Sequence, residues 1–260
     1  MKKRLLLVLI AVTILLTGAA HAADKTEYLP ATLDNVSSLL FKKKILKTDD
    51  PAAMEEYIRI HNCGLYEQYG RDEFAWNRIR DAMGRDLELR LQDIPDGLEI
   101  ANEISVDDYD LGSGTFPISN LTKMTNVGQI ALIAQSSGQY FPCKSNEKNY
   151  QPFVPRMHPL NLTLRLDTPV DMTSFPVNRK LADALVNDMA NRKDTNNPRT
   201  VLVVMDVRMN GLDPMSVSQN PSNRTALGQI DDLRIYEGPR RQMLLYHKDY
   251  AARRAKDGSN

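Results

Sequence analysis

The spacing of apolar and polar residues divides the chain into a helical first part and a strand-rich second part. Val36, Leu39 and Leu40 recur at helical spacing behind Asp34 and Asn35, either of which can cap a first helix. Lys42, Lys43 and Lys44 then read as a solvated face. Asp49 or Asp50 caps a second helix, with Pro51 at its first position and Glu55 and Glu56 in its opening turns. Met54, Tyr57, Ile58 and His61 form its apolar stripe. A third helix is predicted over 71–83, burying either Ala75, Ile79 and Ala82 or Trp76, Ile79 and Met83. Trp76, the single tryptophan, is expected as a core anchor. Leu87, Leu89 and Leu91 alternate with polar residues and read as a half-buried strand, although Glu, Arg, Leu and Gln also favour continuing the helix.

Beyond Pro95-Asp96-Gly97, a turn, extended segments are predicted over 100–109, 115–118 and 129–135. Residues 136–159 have no period and contain Pro142, Pro152, Pro155 and Pro159; a loop of this length marks a functional segment or a stiffened connection. Leu160, Leu162, Leu164 and Leu166 alternate as a strand. Asn178 caps a helix carrying Leu181, Leu185, Val186 and Met189. Residues 200–207 are apolar on both faces, as in a strand covered on both sides. Asn210-Gly211 is read as a turn, 212–227 as a polar loop, and 230–236 with 243–246 as a hairpin joined through Glu237-Gly238-Pro239. Residues 251–260 form a charged, frayed tail. Helices followed by strands predict an α+β fold: N-terminal helices packed on a mainly antiparallel β-sheet or sandwich with one inserted helix. The helical section spans about 33–85 and the strand-rich body about 86–250, in a single domain over 23–260.

The N-terminus changes the expected location. Lys2, Lys3 and Arg4 precede an apolar run from Leu5 to Leu16, then Gly18 and Ala20-His21-Ala22. This order is that of a cleavable signal peptide over 1–22, directing the chain to the periplasm or the medium. The run is short for a membrane span of about 20 residues, so no integral span is expected after cleavage. Cleavage leaves 238 of the 260 residues; with three basic residues lost from 33 basic and 33 acidic, the mature net charge is −3. That charge leaves no electrostatic footprint for nucleic acid.

Export also bears on Cys63 and Cys143, the two cysteines. An even pair in an oxidising compartment points to a disulfide. They are 80 positions apart, and closing a loop of that length would contribute about 4 kcal/mol on the chain-entropy account. The alternatives are two inert thiols or a reactive Cys63 near His61, although residues two apart on a helix do not face each other.

Other chemistry is thin. Asp107, Asp108 and Asp110 near Gly112 suggest calcium, but an EF-hand loop starting at Asp108 would place Gly112, Ser113 and Ser119 at positions that need an oxygen ligand, glycine and glutamate. Ser145 and Lys148 match S-x-x-K without its partner motifs. The acid doublets Glu55-Glu56 and Asp231-Asp232 are not acid/base pairs on spacing alone. Arg240-Arg241 can bind an anion or simply expose charge at a turn. Of His61, His158 and His247, His61 lies on an apolar helix face, and His158 is expected to be the exposed one. No metal, cofactor or catalytic residue is assigned.

Cys63-Gly64-Leu65-Tyr66, Asp72-Glu73-Phe74-Ala75-Trp76, Ile79-Arg80 and Tyr109-Asp110 together resemble a family of uncharacterised exported bacterial proteins. The resemblance implies an exported α+β domain with no assigned activity and transfers no catalytic residues. The expected function is therefore a non-enzymatic binding or envelope-interaction protein, whose partner is another envelope or secreted protein or a small ligand. Its candidate surface is Tyr140, Phe141, Tyr150, Phe153 and His158. The alternative is a periplasmic hydrolase in which an acid converges with His158 or His247 in a pocket.

Overall fold

A computed structural model describes residues 28–134, 155–192, 199–217 and 222–252. Residues 1–22, read above as a signal peptide, and Cys143, Tyr140, Phe141, Tyr150, Phe153, Ser145 and Lys148 lie outside that range. Helix α1 (Leu33–Lys42) is capped by Thr32, whose hydroxyl accepts from the Asn35 N–H; Asp34 falls in its first turn. Asp50 caps α2 (Pro51–His61) through the Ala52 and Ala53 N–H groups, with Pro51 where its missing donor costs nothing. A short α3 (Cys63–Tyr69) follows, then α4 (Glu73–Leu91). The expected strand at 87–92 is thus the end of α4. Leu87 is buried but Leu89 is 65% exposed, so the alternation carried no buried face and helix propensity prevailed. Trp76 is buried, on the stripe shared with Ile79 and Met83.

The strands β1 (Tyr28–Pro30), β2 (Gly97–Ser105), β4 (Met124–Ala134), β5 (Asn161–Met172), β7 (Thr200–Leu212), β8 (Asn223–Tyr236) and β9 (Leu244–Asp249) form one seven-stranded sheet. Its order is β1-β2-β7-β8-β5-β4. The long β8 pairs β5 along its first half and β9 along its second. β1–β2 and β5–β8 are parallel and the other pairs antiparallel. β3 (Thr115–Pro117) and β6 (Ser174–Pro176) make a separate two-stranded ribbon, and α5 (Arg179–Asn191), capped by Asn178, is inserted before β7. The architecture is α+β, with a mixed, mainly antiparallel sheet.

β7 is the central strand. Val201 to Val207 are all buried, as an apolar run on both faces requires. Asn210-Gly211 does not turn the chain. Gly211, at φ 144, takes up a register shift against β8, and the strand runs on to Leu212. Buried residues of the helices and of the inner sheet face form one continuous cluster, from Val36 and Ile58 through Leu98 and Val203 to Leu245.

The helical layer has one close backbone approach. A Cβ on Gly84 in α4 would stand 2.9 Å from the Thr48 carbonyl oxygen in the connection between α1 and α2. Alanine would gain about 1 kcal/mol in helix propensity but cost about 1–3 kcal/mol in overpacking against backbone. Gly84→Ala is expected to lower the unfolding free energy in urea, while Gly64→Ala, with nothing within 4 Å, leaves it level or higher. Equal effects from the two would contradict this packing.

Candidate functional site

The register of the sheet gathers charge on the face opposite the core. Glu99 on β2, Asp206 on β7, Asp232 on β8 and Asp249 on β9 stand side by side in one row. The next row is Ala101, Val204, Arg234 and His247, and the one after it holds Glu103, Leu202 and Tyr236. Adjacent like charges repel, so such a row needs cations threaded through it. Arg234 supplies one: its Nη2 lies 2.6 Å from Asp206 and 3.7 Å from Glu99, and its Nε 3.4 Å from Asp232. Arg241 meets Glu99 at 2.7 Å, and His247 Nε2 lies 2.6 Å from Asp232. Burial raises the Asp206 carboxyl above its ordinary range, with Glu99 and Asp232 adding to the rise and Arg234 opposing it. Its Oδ1 is buried and has no hydrogen-bond partner among the described residues. Beside this row a second group ties the sheet edge: the Tyr28 hydroxyl donates to Asp231 at 2.8 Å, and Arg208 meets the same carboxylate. Burial first, and then Asp231, push the Tyr28 hydroxyl up to about 12.

The connection between β8 and β9, residues 237–243, lies over this face, because Arg241 reaches from it across β7 to Glu99. Two devices fix its shape. The buried Glu237 carboxylate accepts the Gln242 and Met243 N–H groups at 2.8 and 2.7 Å. Arg192, at the end of α5, donates to the Thr200 and Glu237 carbonyls at 2.7 and 2.6 Å and pairs with Asp188. Between them opens a pocket of about 740 Å3, walled by Glu103, Arg192, Thr200, Glu237, Arg240 and Met243. That is the size of a small-molecule site. Asp188, Arg192 and Glu237 are committed to one another or to backbone. Glu103 and Arg240 are exposed and make no hydrogen bond or ion pair among the described residues.

His158 lies elsewhere and is not exposed. It is 1% accessible, at the junction of α1, α2 and the segment entering β5. The buried Glu56 of α2 accepts the N–H groups of Arg156, Met157 and His158 at 2.5, 2.9 and 2.7 Å. The His158 Nε2 is 2.8 Å from Ser37 Oγ on α1, and its Nδ1 faces the Pro159 carbonyl at 3.3 Å. The expectation of exposure failed because a histidine between Met157 and Pro159 gives no sign that a remote glutamate holds its backbone. His61 is near this junction, with Nδ1 2.7 Å from Asp34; burial lowers its pKa against the pull of Asp34. Serine, histidine and acid converge here, but Ser37 is fully buried and Glu56 binds backbone rather than imidazole. The arrangement fastens the helices to the sheet. The four aromatic candidates and Cys143 lie outside the described residues, so His158 is the part of the expected surface that the structure places. Cys63 opens α3.

Asp107, Asp108 and Asp110 do not converge on a metal site: among the described residues no group of three or more His, Cys, Asp or Glu is arranged for one. Asp110 instead closes its own turn, accepting from the Gly112 N–H and the Ser113 hydroxyl. Glu237 and Arg240 belong to a turn that is legible in the sequence, whereas Glu99, Glu103 and Asp206 carry no local signal, because they share a face only once the register is formed. No described helix is long and apolar enough to cross a membrane.

Residues 49–188, more than half of the chain, match a protein family described as a domain of unknown function, DUF4852. The chain belongs to that family. The match runs from α2 to α5 and contains both sides of the Glu56 junction, while Arg240 and the 237–243 connection lie beyond it. No curated protein and no solved structure matches the chain.

His158 has a consequence for stability against pH. Burial lowers its pKa from 6.5 to about 4, with Pro159 opposing and His61 and Arg224 assisting. Between those values the unfolded chain takes up a proton that the folded chain refuses, so stability falls as pH drops from 6.5 to about 4 and is flat in this respect below. The full loss approaches about 3 kcal/mol at 1.36 kcal/mol per unit. Urea titrations should show that slope in the wild type and a shallower one in His158→Gln. Parallel profiles would contradict a buried neutral imidazole.

Proposed function

We propose that this protein is an exported, non-enzymatic binding protein, working in the periplasm or medium, and that it holds a small ligand in the pocket under the 237–243 connection. The observation that supports this reading most is the pocket's preformed frame. Glu237 and Arg192 fix the connection before any ligand arrives, which lowers the entropic cost of binding. The signal-like N-terminus supports export, and the even cysteine pair supports a Cys63–Cys143 bridge in the mature chain. An envelope or secreted protein remains the alternative occupant.

One observation favours a second reading, a periplasmic hydrolase. Asp232 holds Nε2 of the half-exposed His247 on the edge strand β9, the relation of a carboxylate orienting a general base.

Expression from the native leader, followed by intact mass spectrometry of the unreduced periplasmic fraction, should find a chain beginning at Ala23 with no free thiol. Adding the low-mass fraction of an envelope extract should shift the amide resonances of Gly238 and Gln242. A chain retaining Met1 in the cytoplasm would overturn the export, and unmoved amides would overturn the pocket. Hydrolysis of p-nitrophenyl acetate lost in His247→Gln would establish the second reading instead.

A further inference from the structure

Resting on the pocket reading above, we infer that its ligand is a small zwitterion, with an ammonium group at Glu103 and a carboxylate at Arg240, as in amino acids and short peptides with free ends.

Most of the charge around the pocket is already committed. Five charged side chains line the pocket: Glu103, Asp188, Arg192, Glu237 and Arg240. Arg192 and Asp188 are joined at 2.6 Å. Arg192 also holds two backbone carbonyls, and Glu237 holds two backbone N–H groups. Those three shape the wall. Glu103 and Arg240 are left, one of each sign and both solvent-facing, with no hydrogen bond or ion pair among the described residues.

They come from different elements. Glu103 projects from β2, in the row with Leu202 and Tyr236; Arg240 belongs to the connection after β8. Its neighbour Arg241 is tied to Glu99, which anchors the backbone on one side of Arg240. On the other side Pro239 restricts the chain further. A guanidinium on a held backbone suits bidentate capture of a carboxylate, and a glutamate suits an ammonium. A ligand of one sign would leave one of these two groups opposed to it. Met243 adds an apolar side chain to the lining.

Calorimetry on the mature protein tests this with tri-alanine, N-acetyl-tri-alanine, tri-alanine amide and free alanine. Tri-alanine is expected to bind, and blocking either end to weaken it by about tenfold or more, the loss of one charge-assisted hydrogen bond. Glu103→Gln should erase the penalty for N-acetylation but keep that for amidation, and Arg240→Gln the reverse. Alanine binding as tightly as tri-alanine would assign the class to amino acids, and much weaker binding to peptides. Blocked and free tri-alanine binding equally, with Gly238 and Gln242 amides shifting in both, would overturn the zwitterion while the pocket reading stands. No heat and no amide shift with any of the four probes would overturn the zwitterion by itself, and the envelope-extract titration would then decide the pocket separately.

Discussion

One buried carboxylate joins the two halves of this fold. Glu56 stands on α2 and gathers the N–H groups of three consecutive residues, 156–158, just before β5 begins. Burying a carboxylate costs several kcal/mol, and each charge-assisted hydrogen bond returns about 1.5–3 kcal/mol. Three donors are what make the burial favourable. With those residues held, the His158 ring is placed against Ser37 of α1, and β5 enters the sheet beside β8. The helical layer, the inner sheet face and the register of β5 all meet at this junction.

The opposite face of the sheet has a different character. Its acids lie in one row because the register of four strands makes them do so, and Arg234 and Arg241 keep the row from repelling itself apart. The Oδ1 of Asp206, without a hydrogen-bond partner among the described residues, is a cost that packing alone would have removed. Charge here is retained where an apolar surface would have been simpler, next to a connection whose shape is fixed by Glu237 and Arg192. The pocket proposed to hold a ligand therefore lies at this face and not at the sealed Ser37–His158 contact.

Much of the fold is legible in local patterns. Asp50-Pro51 and Asn178 mark helix starts because capping is a contact over two or three residues. The alternation of 160–166 and the double-sided apolar run of 200–207 report how many faces each strand buries. The misreadings arise where a distant partner decides. The leucines at 87–91 alternate but have no sheet to meet. Asn210-Gly211 resembles a turn, yet Gly211 lies within a strand pair whose register needs a shift. His158 reads as exposed because Glu56, 102 positions earlier, leaves no mark on its neighbours. Of the candidate site, the turn Glu237-Gly238-Pro239 and the paired arginines were visible. Glu99, Glu103 and Asp206 carry no local signal, and Asp232 is legible only as half of an acid doublet, until the strands bring them to one face.

Hydrogen exchange at the 156, 157 and 158 amides tests the junction most directly. The three should exchange slowly in the wild type and together become fast in Glu56→Gln, which replaces a two-oxygen acceptor with one oxygen and a competing donor. Fast exchange at these positions in the wild type would contradict the account, as would protection that survives the substitution.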